Sequence, residues 1–249
     1  MGFRTFVFMN VTASVTDMVM RMPEGAPFKY EQLPVAAEQF GAAAKAMSRL
    51  VQKGVVSRAS TGLFYRPIQS VFGTLRPPQE ALLNTFLFKN GQRVAYVTGN
   101  ALYNSMGLTT QVPKLVKVAC LDRRIKTTLI NLVVRPVKSY VPVTDDNVAL
   151  LELLDILKDF NVIPDTDNKQ KVRFMLGQLK ALSTNRQEQL CDIALKYPPR
   201  VRALLGALLY ELNPEQPVMK LKESLNPLSI YKYGIEKELL RSVNFWKLE

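Results

Sequence analysis

The feature that most restricts how this chain folds is a helix stop followed at once by two strand-forming runs. Gly41 to Lys53 reads GAAAKAMSRLVQK, with Gly54 directly behind it. At 100° per residue, Ala43, Ala46, Met47, Leu50 and Val51 fall within about 140° of arc, an apolar stripe suited to a core. Lys45, Ser48, Arg49, Gln52 and Lys53 fill the opposite side. Glycine just past the last periodic residue marks a C-cap, because it enters the left-handed region without steric cost. Val55-Val56-Ser57-Arg58-Ala59 and Leu63-Phe64-Tyr65-Arg66-Pro67 then flank the polar turn Ser60-Thr61-Gly62, which predicts a β-hairpin. Pro67 donates no ladder hydrogen bond and closes the second strand.

Upstream, Thr12 to Met22 places Val15, Met18, Val19 and Met22 at helical spacing before Pro23-Glu24-Gly25 ends the run. Tyr30 to Phe40 carries a second short helical stretch, with Pro34 limiting where it begins. Three helices and a hairpin is the order of a winged helix-turn-helix, whose third helix enters the major groove. On that reading Lys45, Ser48, Arg49, Gln52 and Lys53 face DNA from the recognition helix, and Arg58 and Arg66 from the wing. A solvated helix face explains the Lys45/Arg49/Lys53 stripe taken alone; the basic hairpin directly after it favours nucleic acid.

Charge distribution points the same way. The chain has 33 Lys+Arg against 21 Asp+Glu, a formal +12. Residues 1–76 carry 9 basic and 4 acidic side chains, residues 77–142 carry 9 and 2, and residues 143–249 carry 15 of each. All of the excess lies in the first 142 residues, a bias expected of a nucleic-acid partner rather than of a scattered solubility charge.

These divisions define three expected domains in an α+β chain. Residues 1–76 form the winged helix-turn-helix. Residues 77–142 form a small α/β middle module, opened by the break Arg76-Pro77-Pro78. It holds a helix from Gln79 to Lys89 stopped by Asn90-Gly91, a strand from Arg93 to Thr98, a helix from Ala101 to Met106 and a strand from Lys114 to Leu121. β-branched runs follow from Ile125 to Arg135 and from Val137 to Val141. The cations Lys114, Lys117, Arg123, Arg124, Lys126, Arg135 and Lys138 are expected near strand ends, where extending a DNA footprint, meeting an RNA and shielding edge strands are equally open readings. Residues 143–249 are helical, with starts at Asp145 or Asp146, Lys169, Thr184 and Pro198-Pro199. A tail from Asn213 bears Tyr231, Tyr233, Phe245 and Trp246. Aromatics of this size are costly to leave in water, so the tail is expected to pack on the body rather than on a partner.

Several chemistries are excluded or disfavoured. The chain contains no histidine, which removes Ser-His-Asp triads, Cys-His dyads and H-E-x-x-H zinc sites. Cys120 and Cys191 are too few for a metal cluster or disulfide scaffold, and Cys191 is expected to be a buried, inert thiol. Phosphate-binding G-x-x-x-x-G-K-[ST] and G-x-G-x-x-G loops are missing. Asp165, Asp167 and Lys169 imitate a metal-dependent nuclease pattern but crowd into one interhelical loop, where a helix N-cap explains them better. The expectation is a protein without enzymatic activity, cofactor or metal, with a nuclease and a structural adaptor docking through the tail as alternatives. No run of about 18 apolar residues is present, and Asn10 to Asp17 interrupt any signal-peptide core, so a cytoplasmic location without membrane contact is expected.

The run Ala42 to Arg58, the wing Thr61-Gly62-Leu63-Phe64-Tyr65-Arg66-Pro67 and Ser70-Val71-Phe72-Gly73 resemble the N-terminal motif of the AbiEi-like antitoxins of type IV toxin–antitoxin systems. Thr98-Gly99-Asn100-Ala101-Leu102-Tyr103-Asn104-Ser105-Met106-Gly107-Leu108-Thr109-Thr110-Gln111-Val112-Pro113 is the most specific part of that likeness. Pro198 to Leu205 is similar to the uncharacterised, DUF-type members. The resemblance covers roughly Pro27 to Leu212 and does not extend to the tail. It implies a bacterial cytoplasmic protein paired with a nucleotidyltransferase-like toxin. Its winged helix would bind double-stranded DNA at inverted repeats in its own promoter as a repressor acting in phage defence. The type IV label implies that neutralisation need not involve a stable toxin complex.

Overall fold

An apolar stripe on one helix of the first unit meets a matching stripe on another. The computed structural model describes residues 11–33, 35–71, 73–122, 126–130, 132–213 and 218–249. Sequence readings that involve residues 1–10, Pro34, Phe72, Arg123, Arg124, Ile125, Pro214 and Pro217 lie outside the described residues. The chain divides into two units, the first made of residues 1–86 and 127–132, the second of residues 87–126 and 133–249.

In the first unit α1 (Val11–Arg21) buries Val15 and Val19. β1 (Pro27–Lys29) follows, then two single 3-10 turns at Tyr30–Gln32 and Ala37–Gln39, then α2 (Phe40–Gln52). The short helix expected over Tyr30 to Phe40 is thus two isolated turns. Leu33 between them is extended, with φ −79° and ψ 140°, the conformation imposed on a residue that precedes proline. α2 buries Ala43, Ala46, Met47 and Leu50 against Val15, Val19, Phe28, Leu33, Val56 and Phe64. It ends where Gly54 takes φ +72° and the N–H groups of Val55 and Val56 return to the Leu50 carbonyl.

β2 (Ser57–Ser60) and β3 (Leu63–Tyr65) form the expected hairpin, and β1 pairs antiparallel with the far side of β3, giving the order β1-β3-β2. A second, smaller hairpin of β4 (Ile68–Ser70) and β5 (Gly73–Leu75) follows, before α3 (Gln79–Leu87).

The second unit opens with a hairpin that reads from sequence only as a helix stop. β6 (Phe88–Lys89) and β7 (Gln92–Arg93) pair across Asn90 and Gly91, both at positive φ, 51° and 76°. Two such residues make the mirror-image turn whose twist suits a tight hairpin. β8 (Ala95–Thr98), α4 (Asn100–Ser105) and β9 (Leu115–Cys120) come next, and β9 lies antiparallel to β8. β10 (Thr127–Leu129) belongs to the first unit, where the neighbouring Ile130 N–H donates to the Ala59 carbonyl at 3.2 Å. β11 (Leu132–Lys138) then runs parallel to β9 on its other side.

Four helices follow: α5 (Val148–Lys158), α6 (Asn168–Ala181), α7 (Thr184–Ala194) and α8 (Pro199–Leu212), and α9 (Met219–Glu223) lies in the tail. α5 begins two residues past Asp146, behind an Asn147 that trades hydrogen bonds with Thr144. α8 starts on proline, whose missing N–H costs nothing at a helix's first turn, and packs against α5, α6, α7 and α9. Tyr96, Leu102, Tyr103 and Ala119 share one core with α5, α6, α7 and α8, so the expected boundary at residue 142 is not one. The middle stretch cannot bury its apolar side chains alone and closes on the helices. The first unit also extends past residue 76, with α3 through Phe86 counted in it.

The tail packs on this body. Tyr233, Ile235, Leu240, Val243, Trp246 and Leu248 are buried in the same core. Trp246 lies on α8 at Gly206, where a side chain's Cβ would overlap the indole ring. Among the described residues no helix is long and apolar enough to cross a membrane.

Candidate nucleic-acid interface

Because α2 commits Ala43, Ala46, Met47 and Leu50 to the core, helical geometry turns the intervening positions to solvent. Lys45, Ser48, Arg49, Gln52 and Lys53 are all exposed. At 100° and 1.5 Å per residue they occupy about 140° of arc, and Lys45, Arg49 and Lys53 form a row about 12 Å long. None of these three cations forms an ion pair among the described residues. Two neutral hydrogen-bonding side chains, Ser48 and Gln52, stand beside the row.

The hairpin contributes one cation of this kind. Arg58 on β2 is exposed, with its guanidinium 5.5 Å from the Phe64 ring centroid. Arg66 departs from expectation. Its Nη1 donates to the carbonyls of Met20 at 2.8 Å and Met22 at 2.7 Å, and its Nη2 reaches Glu24 at 3.4 Å. These carbonyls are among those a helix leaves without an internal partner, so Arg66 caps α1 instead of facing outward. Arg21 pairs with Asp17 at 2.8 Å, and Lys29 reaches the Thr85 carbonyl over the Phe86 ring. The row on α2 with Arg58 is therefore the part of this unit where positive charge is concentrated and uncommitted.

The two loop aspartates of the nuclease pattern have other partners. Asp167 caps α6: its carboxylate accepts from the Gln170 N–H at 2.7 Å, while the Gln170 side chain accepts from the Asp167 N–H at 3.1 Å. Asp165, at φ +61°, accepts from the hydroxyls of Thr109 at 2.8 Å and Thr110 at 3.4 Å and from Gln111 Nε2 at 3.4 Å. Asp165 and the two threonines line a cleft of about 280 Å³ with Gln170 and Phe174. Deeper in this unit, Asp155 accepts from Tyr96 at 2.9 Å, Thr98 at 2.6 Å and Lys158 at 2.5 Å, a buried network fastening α5 to β8. Burial pushes the Cys191 thiol up to about 11, which suits an inert position on α7.

These observations define an α+β protein of two units, the first carrying an uncompensated basic helix face beside a hairpin. Residues 15–134 match a family of unknown function (DUF6088). The matched stretch includes α2, the hairpin and the Thr98–Pro113 segment. The sequence matches no curated protein. In fold the chain is similar to the crystal structure of the RV2827C protein from Mycobacterium tuberculosis. That likeness has a TM-score of 0.54 at 12% identity and covers 96% of this chain and 91% of that one.

Proposed function

We propose that this protein is a non-catalytic DNA-binding antitoxin and autorepressor whose first unit acts as a winged helix-turn-helix with α2 as its recognition helix. The observation that carries the reading is the exposed row Lys45, Arg49 and Lys53, unpaired among the described residues, on a helix whose opposite face is locked into the core. A helix held that way presents its cations to phosphates at no folding cost, while Ser48 and Gln52 reach base edges. The order α1, β1, α2, β2, β3 with sheet order β1-β3-β2 supports it, with two 3-10 turns in the place of the second helix. Arg58 is the wing's phosphate contact, and Arg66 holds α1 in place. The antitoxin part of the reading is supported by the Thr98–Pro113 motif and its likeness to the AbiEi-like antitoxins. The partners are the promoter's inverted repeats and a nucleotidyltransferase-like toxin neutralised without a required stable complex.

Two cellular readouts test this together. Expression of the chain represses a reporter driven by its own promoter and rescues growth of cells expressing the neighbouring toxin. Lys45→Ala with Arg49→Ala relieves repression at unchanged protein level. A variant that represses like the parent overturns the assignment of α2, and a parent chain that rescues no growth overturns the antitoxin reading.

A further inference from the structure

The Thr98–Pro113 segment opens on a backbone geometry with a consequence for its neighbour on the sheet. Gly99 has φ +72° and ψ −152°, a conformation essentially restricted to glycine. A Cβ at Gly99 would sit 2.8 Å from Cδ of Lys117, 3.4 Å from its Cγ and 3.5 Å from its Cε. Glycine thus leaves a lane along which the Lys117 stem lies, and the stem's position aims the ammonium. Lys117 is in the middle of β9, paired with Thr98 of β8 on one side and directly opposite Arg135 of β11 on the other. Residues directly opposite share a face, and neighbouring strands are about 4.8 Å apart.

Lys117 and Arg135 are both exposed, and neither forms an ion pair among the described residues. Like charges directly opposite one another weaken a sheet. Edge protection does not account for Lys117, because β9 has a strand on each side. The cost is compensated if an anion sits between the two side chains. A phosphate suits the gap, since its oxygens accept the ammonium's point charge and the planar guanidinium fork together.

We propose that Lys117 and Arg135 form a phosphate-binding site on the second unit that takes a phosphodiester of a nucleic-acid backbone, with Gly99 holding open the lane for the lysine. This site belongs to the second unit and α2 to the first, and the proposal does not rest on the role proposed for α2. The test is a salt titration of the full-length chain binding a short labelled DNA duplex and, separately, one of its single strands. Lys117→Gln with Arg135→Gln lowers the slope of log K against log salt by about 0.9 on duplex or about 0.7 on single strand, as expected when one phosphate is no longer neutralised. A drop on one probe alone names the form bound. The melting temperature stays level or rises, because a repulsive pair has been removed. The charge-matched variant Lys180→Gln with Lys196→Gln, at exposed positions on and after other helices of the same unit, leaves the slope unchanged. Repeating the comparison in a Lys45→Ala, Arg49→Ala background separates the two surfaces, since the drop persists there whether or not α2 binds DNA. A slope equal to the parent's on both probes, or an equal drop in the charge-matched variant, overturns the proposal.

Discussion

Replacing Gly206 with alanine should destabilise the second unit, against the usual sign of that substitution in a helix. Gly206 lies inside α8, where alanine's greater helix propensity is worth about 1 kcal/mol. The new methyl, however, points into the Trp246 ring: its Cβ would lie 2.8 Å from Cε3 and nearer still to Cζ3 and Cη2. Real Cβ atoms essentially never approach so closely, so something must move. Gly206 and Trp246 are both buried, which leaves no cheap direction of retreat. Overpacking of this kind costs about 1–3 kcal/mol, and up to about 5 if the indole is expelled as in a Trp→Ala change. Taking about 3 against about 1 leaves a net loss of about 2 kcal/mol, or a melting temperature lower by about 4–8 °C. Trp246 is the single tryptophan of the chain, so its fluorescence follows both the melt and the docking of the tail. Gly177→Ala in α6 is the matched control: its Cβ meets nothing within 4 Å, and the variant should gain up to about 1 kcal/mol. If Gly206→Ala melts at or above the parent with unchanged emission, the packing of the tail on α8 is refuted.

Arg66→Ala removes two charge-assisted bonds from the end of α1 and should cost about 1–3 kcal/mol, with promoter affinity unchanged below the melt. Weaker promoter binding with unaltered melting would return Arg66 to the interface. Asp155→Ala leaves Lys158 and the Tyr96 and Thr98 hydroxyls without their acceptor; a destabilisation of about 3–5 kcal/mol is expected in urea unfolding, and one under about 1 would contradict the network's role. Burial raises the folded-state pKa of Cys191 to about 11, and burial also raises those of Tyr96, Tyr103 and Tyr197, with the Asp155 or Asp159 carboxylates adding to it. Groups raised in the folded state contribute fully below their unfolded pKa, so stability is lost as pH climbs from about 9 through 11. A urea midpoint that stays flat across that range would contradict the burial of these groups.

What was legible in the sequence followed from local periodicity. The α2 arc, the Gly54 stop and the β2–β3 hairpin depend on residues a few positions apart, and their spacing carries the information. Trp246 and Tyr233 announced the tail's packing through their size alone. The rest depended on partners far along the chain. Arg66 caps carbonyls 44 and 46 residues away, and nothing in Leu63 to Pro67 distinguishes a capping arginine from an outward one. β1 is three residues long and finds its partner β3 well beyond α2, so no local pattern marks it as a strand. Pro34 bears on more than the start of that helix, since its effect on Leu33 breaks the stretch in two. Asn90-Gly91 carried a hairpin signal, overshadowed by the helix before it. The opposition of Lys117 and Arg135 arises from a parallel register, which no local pattern encodes.

If the outer face of α2 grips DNA phosphates, the salt dependence of promoter binding reports it most directly. With Lys45, Arg49 and Lys53 all changed to alanine, the slope of log K against log salt should fall by about 2.7, some 0.9 for each phosphate no longer neutralised, while the melting temperature holds. A triple variant whose slope matches the parent's contradicts the grip of α2 on DNA, because removing cations from phosphates necessarily removes their share of the salt dependence.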